Sequence, residues 1–338
     1  SGDLPAVNNV SAGALAQRAV LRAFLRDHPD YVFKPFAMPK IQGHAMDTGP
    51  LMGISSGNPP HAIYVNFRQS SSYMNHGFLE PLEVLLARVL SPNEGVRQST
   101  PDGEWLTEPS LAEIEAARDA ILSRVPEPVW PVIHRVADTD KTGIPPGRHI
   151  WAMPTTVLAK VMLYRKDVFQ QAGLDPRHPP GNWQELLDYG RRIKALPGKY
   201  GITFAGGPAI SWGAYSLFAS NGATFMDRGP EGRLRASFNT PEMAEAIYFL
   251  LRLVDEPFEA DGQTYKGIAY VGLPGNDASL KWERGQVGMQ FSSLEDEMLA
   301  SINPELVGIA PIPDSPRGAG GGDLNARMLG VFRDTSPA

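Results

Sequence analysis

The sequence predicts an α/β fold in two lobes, each a mainly parallel sheet flanked by helices. Three observations point there. The chain has 338 residues, more than the roughly 100 to 200 typical of one domain. Short apolar, β-rich runs alternate along it with stretches of helical periodicity, the pattern of a parallel sheet whose strands are joined through helices. Between residues 151 and 193 a strand, a charged break, a short helix, a Pro-rich loop and a capped helix follow in order.

Taken in order, residues 12–25 carry apolar positions at helical spacing, and His28-Pro29-Asp30 stops them ahead of a strand at 31–36. A helix over 44–55 ends at SGNPP, and 62–67 is a short β-rich run. Residues 91–110 are rich in Pro, Gly, Ser and Thr; Leu111, Ile114, Ala117 and Ile121 then recur at helical spacing until PEPVWP. The polar stretch 138–148 is a natural connection before the chain passes between lobes. Residues 157–164 form an apolar strand ended by Lys166 and Asp167, and 168–172 make a helical turn closed by Gly173. Asn182 caps the next helix, with Glu185 placed as in a capping box and Leu186, Leu187, Tyr189 and Ile193 as its apolar stripe. A strand at 200–204, a helix at 213–220, a hairpin at 224–238 and a helix at 241–254, opened by Thr240 and Pro241, complete the second lobe. Residues 307–312 begin the return, and Gly318 to Gly322 read as a flexible loop.

Composition removes several functions. A net charge of -6 with scattered Lys and Arg argues against a nucleic-acid surface. No apolar run approaches the roughly 18 to 20 residues that span a bilayer. With no Cys in the chain, disulfides, thiolate metal sites and Cys nucleophiles are excluded. No HExxH or GxxxxGK[ST] occurs, and GAGGG at 318–322 lacks the strand-to-helix context of a phosphate loop. The seven His are dispersed, and pairs such as Glu295 with Glu297 read as solvated helix faces. The residues therefore make no case for an enzyme, for a metal site or for a cofactor.

Three segments carry a family resemblance. Tyr164-Arg165-Lys166-Asp167, a short helix, Ala172-Gly173-Leu174-Asp175-Pro176 and Trp183-Gln184-Glu185-Leu186 resemble the extracellular solute-binding proteins of bacterial ABC importers, sugar-binding family 1, whose maltose-binding members are the familiar type. SGNPPHAIYVNFRQSSSYMNHGFLEPL at 56–82 is similar to that family's Ser-Gly-x-x-Pro-Asp strand, with His61 where Asp is usual. GQVGMQF at 285–291 matches a late strand. The resemblance implies a periplasmic-binding-protein-like fold: lobe 1 over 1–153 with a variable insertion at about 91–130, lobe 2 over 154–305, and a return to lobe 1 over 306–338. It also implies that the chain is truncated at both ends relative to the family.

The implied function is binding a small molecule, a mono- or oligosaccharide, in a cleft between lobes that close about a hinge, with ABC permease subunits as membrane partners. The protein would be a periplasmic or extracellular monomer, lipid-anchored through a missing N-terminus. A ligand-sensing domain serving a receptor and a carbohydrate-active enzyme stay open as alternatives. In open α/β sheets ligands sit beyond the carboxyl ends of the strands. The loops expected there hold Asn66, Phe67, Arg68 and Gln69; Trp151, Thr155 and Thr156 at the crossover; Ser211, Trp212 and Tyr215; and Gln290 and Phe291. Aromatic rings stack on sugar C–H faces, while amides, guanidinium and hydroxyls replace the water lost from sugar hydroxyls. Trp183 is expected to pack the start of its helix instead.

Overall fold

The structure, a computed structural model, describes residues 12–32, 52–53, 55–56, 60–65, 67–90, 98–100, 103–105, 109–137, 144, 146–230, 233–272, 277–293, 303–318 and 321–333. The chain divides into two compact units, Ser1–Val157 with Leu324–Ala338, and Leu158–Asp323. No helix among the described residues is long and apolar enough to cross a membrane.

The first unit opens with helix α1 (Ala12–Asp27), close to its expected span. Residues 33–36 of the expected next strand, and most of the helix expected over 44–55, lie outside the described residues. Strand β1 (Ala62–Val65) is followed by α2 (Phe67–Asn75) and α3 (Leu82–Leu90). A hairpin of β2 (Gln98–Thr100) and β3 (Gly103–Trp105) leads to α4 (Leu111–Leu122), where Ser110 and Glu113 form a reciprocal capping box. A second hairpin joins β4 (His134–Val136) to β5 (Arg148–Ile150). Ile63, Val65, Leu79, Ile133, Ile150 and Trp151 are among the buried residues of this unit's core. One carboxylate is buried here with its partners. Glu83 accepts from His149 Nδ1 at 2.6 Å and from the Ile150 amide at 2.9 Å, pinning α3 to β5.

Strand β6 (Met153–Arg165) carries the chain into the second unit and is longer than the expected 157–164. There follow α5 (Lys166–Gln171), α6 (Trp183–Lys194), β7 (Tyr200–Phe204), α7 (Ile210–Ser220) and the predicted hairpin, β8 (Met226–Arg228) with β9 (Leu234–Ala236). Next come α8 (Pro241–Asp255), a hairpin of β10 (Pro257–Ala260) with β11 (Gln263–Lys266), then β12 (Ala269–Val271), α9 (Asp277–Glu283), β13 (Val287–Ser293) and β14 (Val307–Ala310). Strand β15 (Leu324–Val331) returns to the first unit.

Capping explains why the predicted helices start where they do. Asn182 Oδ1 accepts from the Glu185 amide at 3.0 Å, and Thr240 does the same for Met243. The Glu185 side chain bonds the Gly181 amide, one residue ahead of a standard capping box. Leu186, Leu187 and Ile193 are buried, and Trp183 stacks on Phe249 with ring centroids 4.2 Å apart.

The expectation of a mainly parallel sheet in each lobe needs correction. In the second unit β13 pairs parallel with β7 and β7 with β12, but β6 runs antiparallel to both β13 and β14. In the first unit the described pairing of β1 with β15 is antiparallel. Helical crossovers join β7, β12 and β13 and so keep them parallel, whereas β6 brings the chain in from the first unit and enters at their carboxyl ends. The return begins at Leu324 and not at 306, because Val307 to Ala310 add to the edge of β6 and Asp314 bonds the Gly181 and Trp183 backbone.

Arg317 holds this late segment on α8. It donates to Glu245 at 2.5 and 2.6 Å and to Glu242 at 2.9 Å. Hydrogen bonds from Arg317, then from Asn221, lower the Glu245 carboxyl from 4.5 to about 2. A carboxyl depressed on folding stabilises above its unfolded pKa and loses that contribution as pH falls through the folded value. Thermal stability should therefore fall between about pH 4.5 and pH 2 more steeply in the wild type than in Arg317→Ala. Parallel stability-versus-pH curves in that window would remove the clamp from the account.

Candidate functional site

In the second unit the parallel strands present their carboxyl ends at Phe204, Val271 and Ser293. After Phe204 the chain turns through Gly207, whose φ of +63° suits a residue with no Cβ, into α7. Three predicted residues come together on that helix. Ser211, Trp212 and Tyr215 are all exposed, the two aromatic residues at 39% and 41%, and Tyr215 stands one turn on from the adjacent Ser211 and Trp212 on α7. Ser211 and Trp212 fall ahead of the helix expected at 213–220, but that helix begins at Ile210, earlier than its apolar pattern shows. Phe225, exposed at 43%, stacks on Tyr215 at 5.8 Å and 11°. Its position just ahead of the hairpin, in a Gly-Ala-Thr-Phe turn, carried no signal of that role.

A second residue that sequence reasoning missed is Lys160. It lies opposite Ser293 in the β6–β13 register and is 8% exposed. Its ammonium donates to the Trp212 carbonyl at 2.6 Å, sits 5.4 Å from the Trp212 ring centroid and lies 3.4 Å from the Asp323 carboxylate. A buried ammonium is tolerated only with such partners.

Gln290 and Phe291 do not act as a pair. Successive strand residues point to opposite faces: Phe291 packs edge-on against Phe204 in the core, while Gln290 aligns with Thr203 and Leu163. Phe291 is therefore a core residue. Gln290 is 8% exposed, and its Nε2 finds no hydrogen-bond partner among the described residues.

In the first unit the predicted set divides. Asn66 lies outside the described residues, and Phe67, Arg68 and Gln69 form the first turn of α2, not a loop. That turn is anchored just behind them, where Arg135 donates to Ser70 Oγ and Ser71 Oγ, each at 2.7 Å. Burial draws the Arg135 guanidinium below its ordinary range. Trp151 is buried at 2% and donates its indole N–H to the Arg135 carbonyl at 2.8 Å, so it supports that anchor from within the core and is not an exposed contact. Thr155 and Thr156 are exposed on β6, and Thr155 Oγ1 donates to the Arg327 carbonyl.

No cluster of three or more metal-ligating His, Asp or Glu occurs among the described residues. Two surface grooves of the second unit, about 370 and 460 Å³, include none of the predicted residues; the first is lined by Trp183, Tyr248, Phe249 and Arg317, the second by Arg191, Arg192 and Phe258 among others. What the site offers is an exposed aromatic face beside hydroxyls and a partnered cation.

The model of the family described as bacterial extracellular solute-binding protein matches residues 115–337. The chain belongs to this family. Among curated solute-binding proteins, it is 30% identical over 176 residues to a putative binding protein of Brucella abortus, covering 51% of this chain and 39% of that one. It is 33% identical over 129 residues to the sn-glycerol-3-phosphate-binding periplasmic protein UgpB of Escherichia coli K12, covering 36% of this chain and 26% of the relative. The chain thus spans about two fifths or less of the length of these relatives. The two-lobed solute-binding fold is shared with UgpB of Mycobacterium tuberculosis in complex with glycerophosphocholine (TM-score 0.63, 18% identity, 96% of this chain and 70% of that one). Maltose-bound MalE3 of T. maritima is similar to the same degree (TM-score 0.63, 18% identity, 97% and 71%).

Proposed function

We propose that this solute-binding protein takes up a small polyhydroxylated solute at the carboxyl edge of the second unit's sheet, closes its two units over it about a hinge, and presents it to the permease of an ABC importer. It works outside the cytoplasmic membrane and binds without turnover. The observation that carries the reading is the exposed group on α7, Ser211 with Trp212 and Tyr215, in a chain of this family. A ligand that meets both units binds the closed form better and shifts the population toward it.

The preferred solute is a mono- or oligosaccharide, since a flat aromatic face beside hydroxyl donors suits alternating C–H and O–H surfaces. A glycerol phosphate or its diester is the second reading, favoured by the names of the UgpB relatives and by the Lys160 ammonium beside Trp212. Thermal-shift screening against sugars, glycerol phosphates, glycerophosphodiesters, amino acids and polyamines separates them. A ligand at 100 times its Kd adds about 2.7 kcal/mol to the folded state. Stabilisation by amino acids or polyamines alone, or chemical conversion of a bound glycan, would falsify the reading.

A further inference from the structure

We propose that Lys160 is a positioning residue that couples Trp212 to the two chain segments leaving the second unit. The inference rests on the reading of Trp212 as a ligand contact. The chain passes between units after Val157 and again after Asp323. Lys160, just past the first passage, is tied to the second one twice: its amide donates to the Asp323 carbonyl at 3.1 Å, and its ammonium lies 3.4 Å from the Asp323 carboxylate. The backbones run so close that a Cβ on Gly322 would sit 2.3 Å from the Lys160 carbonyl oxygen.

The same ammonium donates to the Trp212 carbonyl at 2.6 Å in the first turn of α7. Only 5% of the Lys160 side chain is exposed, so water cannot readily replace either partner. A shift of Trp212 as a solute covers its ring therefore leaves Lys160 two courses. It follows Trp212 and draws on Asp323, or it stays and strands a buried charge with half its partners. The second is the costlier, so the turn that bears Trp212 and the segment around Asp323 move as one.

Lys160→Met keeps the stem and removes the charge, and Lys160→Arg restores it. In hydrogen exchange on the ligand-free protein, Lys160→Met should speed exchange about tenfold at both 210–216 and 321–324, with Lys160→Arg restoring protection. With a ligand from the thermal-shift panel, Lys160→Met should weaken Kd about tenfold and reduce the fall in radius of gyration on binding. Faster exchange at one segment alone, or at neither, overturns the coupling. If Lys160→Met does not fold, Asp323→Asn decides: it removes only the distant partner, so faster exchange at 210–216 supports the coupling and unchanged exchange there overturns it. A wild type that binds nothing on the panel defeats the ligand reading, while the exchange data still decide the coupling. A wild type and Lys160→Met with equal Kd and equal exchange defeat the coupling alone.

Discussion

Trp212→Ala should weaken binding of the cognate solute about 30-fold, a loss of about 2 kcal/mol, which is what an aromatic face contributes through burial and stacking. Trp212 is 39% exposed before any ligand arrives, so its truncation removes a contact face and little core packing. Its carbonyl, which accepts from Lys160, survives the substitution. Folding stability should therefore stay close to that of the wild type. Phe291→Ala is the matched control: Phe291 is 8% exposed and packs against Phe204, so its loss should lower the melting temperature. Titration calorimetry on both variants checks the division of labour. An unchanged Kd in Trp212→Ala would move the site away from α7.

Gly201→Ala should destabilise the second unit by about 3 kcal/mol, at the upper end of ordinary overpacking. Here α6 crosses β7 with two glycines face to face. A Cβ on Gly201 would lie 2.5 Å from Gly190 Cα and 2.8 Å from its carbonyl oxygen. Both are backbone atoms of a helix whose Leu186, Leu187 and Ile193 are fully buried, so α6 can give way only by lifting its whole apolar stripe off the sheet. The reciprocal change, Gly190→Ala, meets the side-chain end of Ile268 at 2.2 Å. That end can turn aside, so Gly190→Ala should cost less. For a unit of this size, 3 kcal/mol lowers the melting temperature by roughly 6 to 12 °C. A fall of less than about 2 °C for Gly201→Ala, or a larger fall for Gly190→Ala, would contradict the packing account.

Local signals were legible in the sequence wherever a short stretch determines its own geometry. Asn182 and Thr240 mark helix starts, and they cap them in the structure. Gly173 closes α5 at a φ of +66°, which residues with a Cβ resist. The predicted hairpin near 224–238 is present. A second was announced just as plainly by Asp261-Gly262, both at positive φ between β10 and β11, the favoured chemistry of a two-residue hairpin turn.

The candidate site was half legible. Ser211, Trp212 and Tyr215 follow a readable strand, and the structure leaves them exposed. Phe291 and Trp151 are the same chemical type, but the one packs on Phe204 and the other, itself buried, donates to the Arg135 carbonyl. Whether an aromatic residue serves a core or a surface depends on what covers it, and the covering groups come from distant parts of the chain.

By itself, then, the sequence determined the alternation of strands and helices, their caps and turns, and the family, because propensity, periodicity and capping act over a few residues. The tertiary structure alone decided that β6 runs against its parallel neighbours and that the return waits until Leu324. It alone set Lys160 between Trp212 and Asp323, 52 residues away in one case. Strand direction and the partners of a buried charge are settled by which segments meet in space, and loop closure over such distances leaves no mark in local sequence.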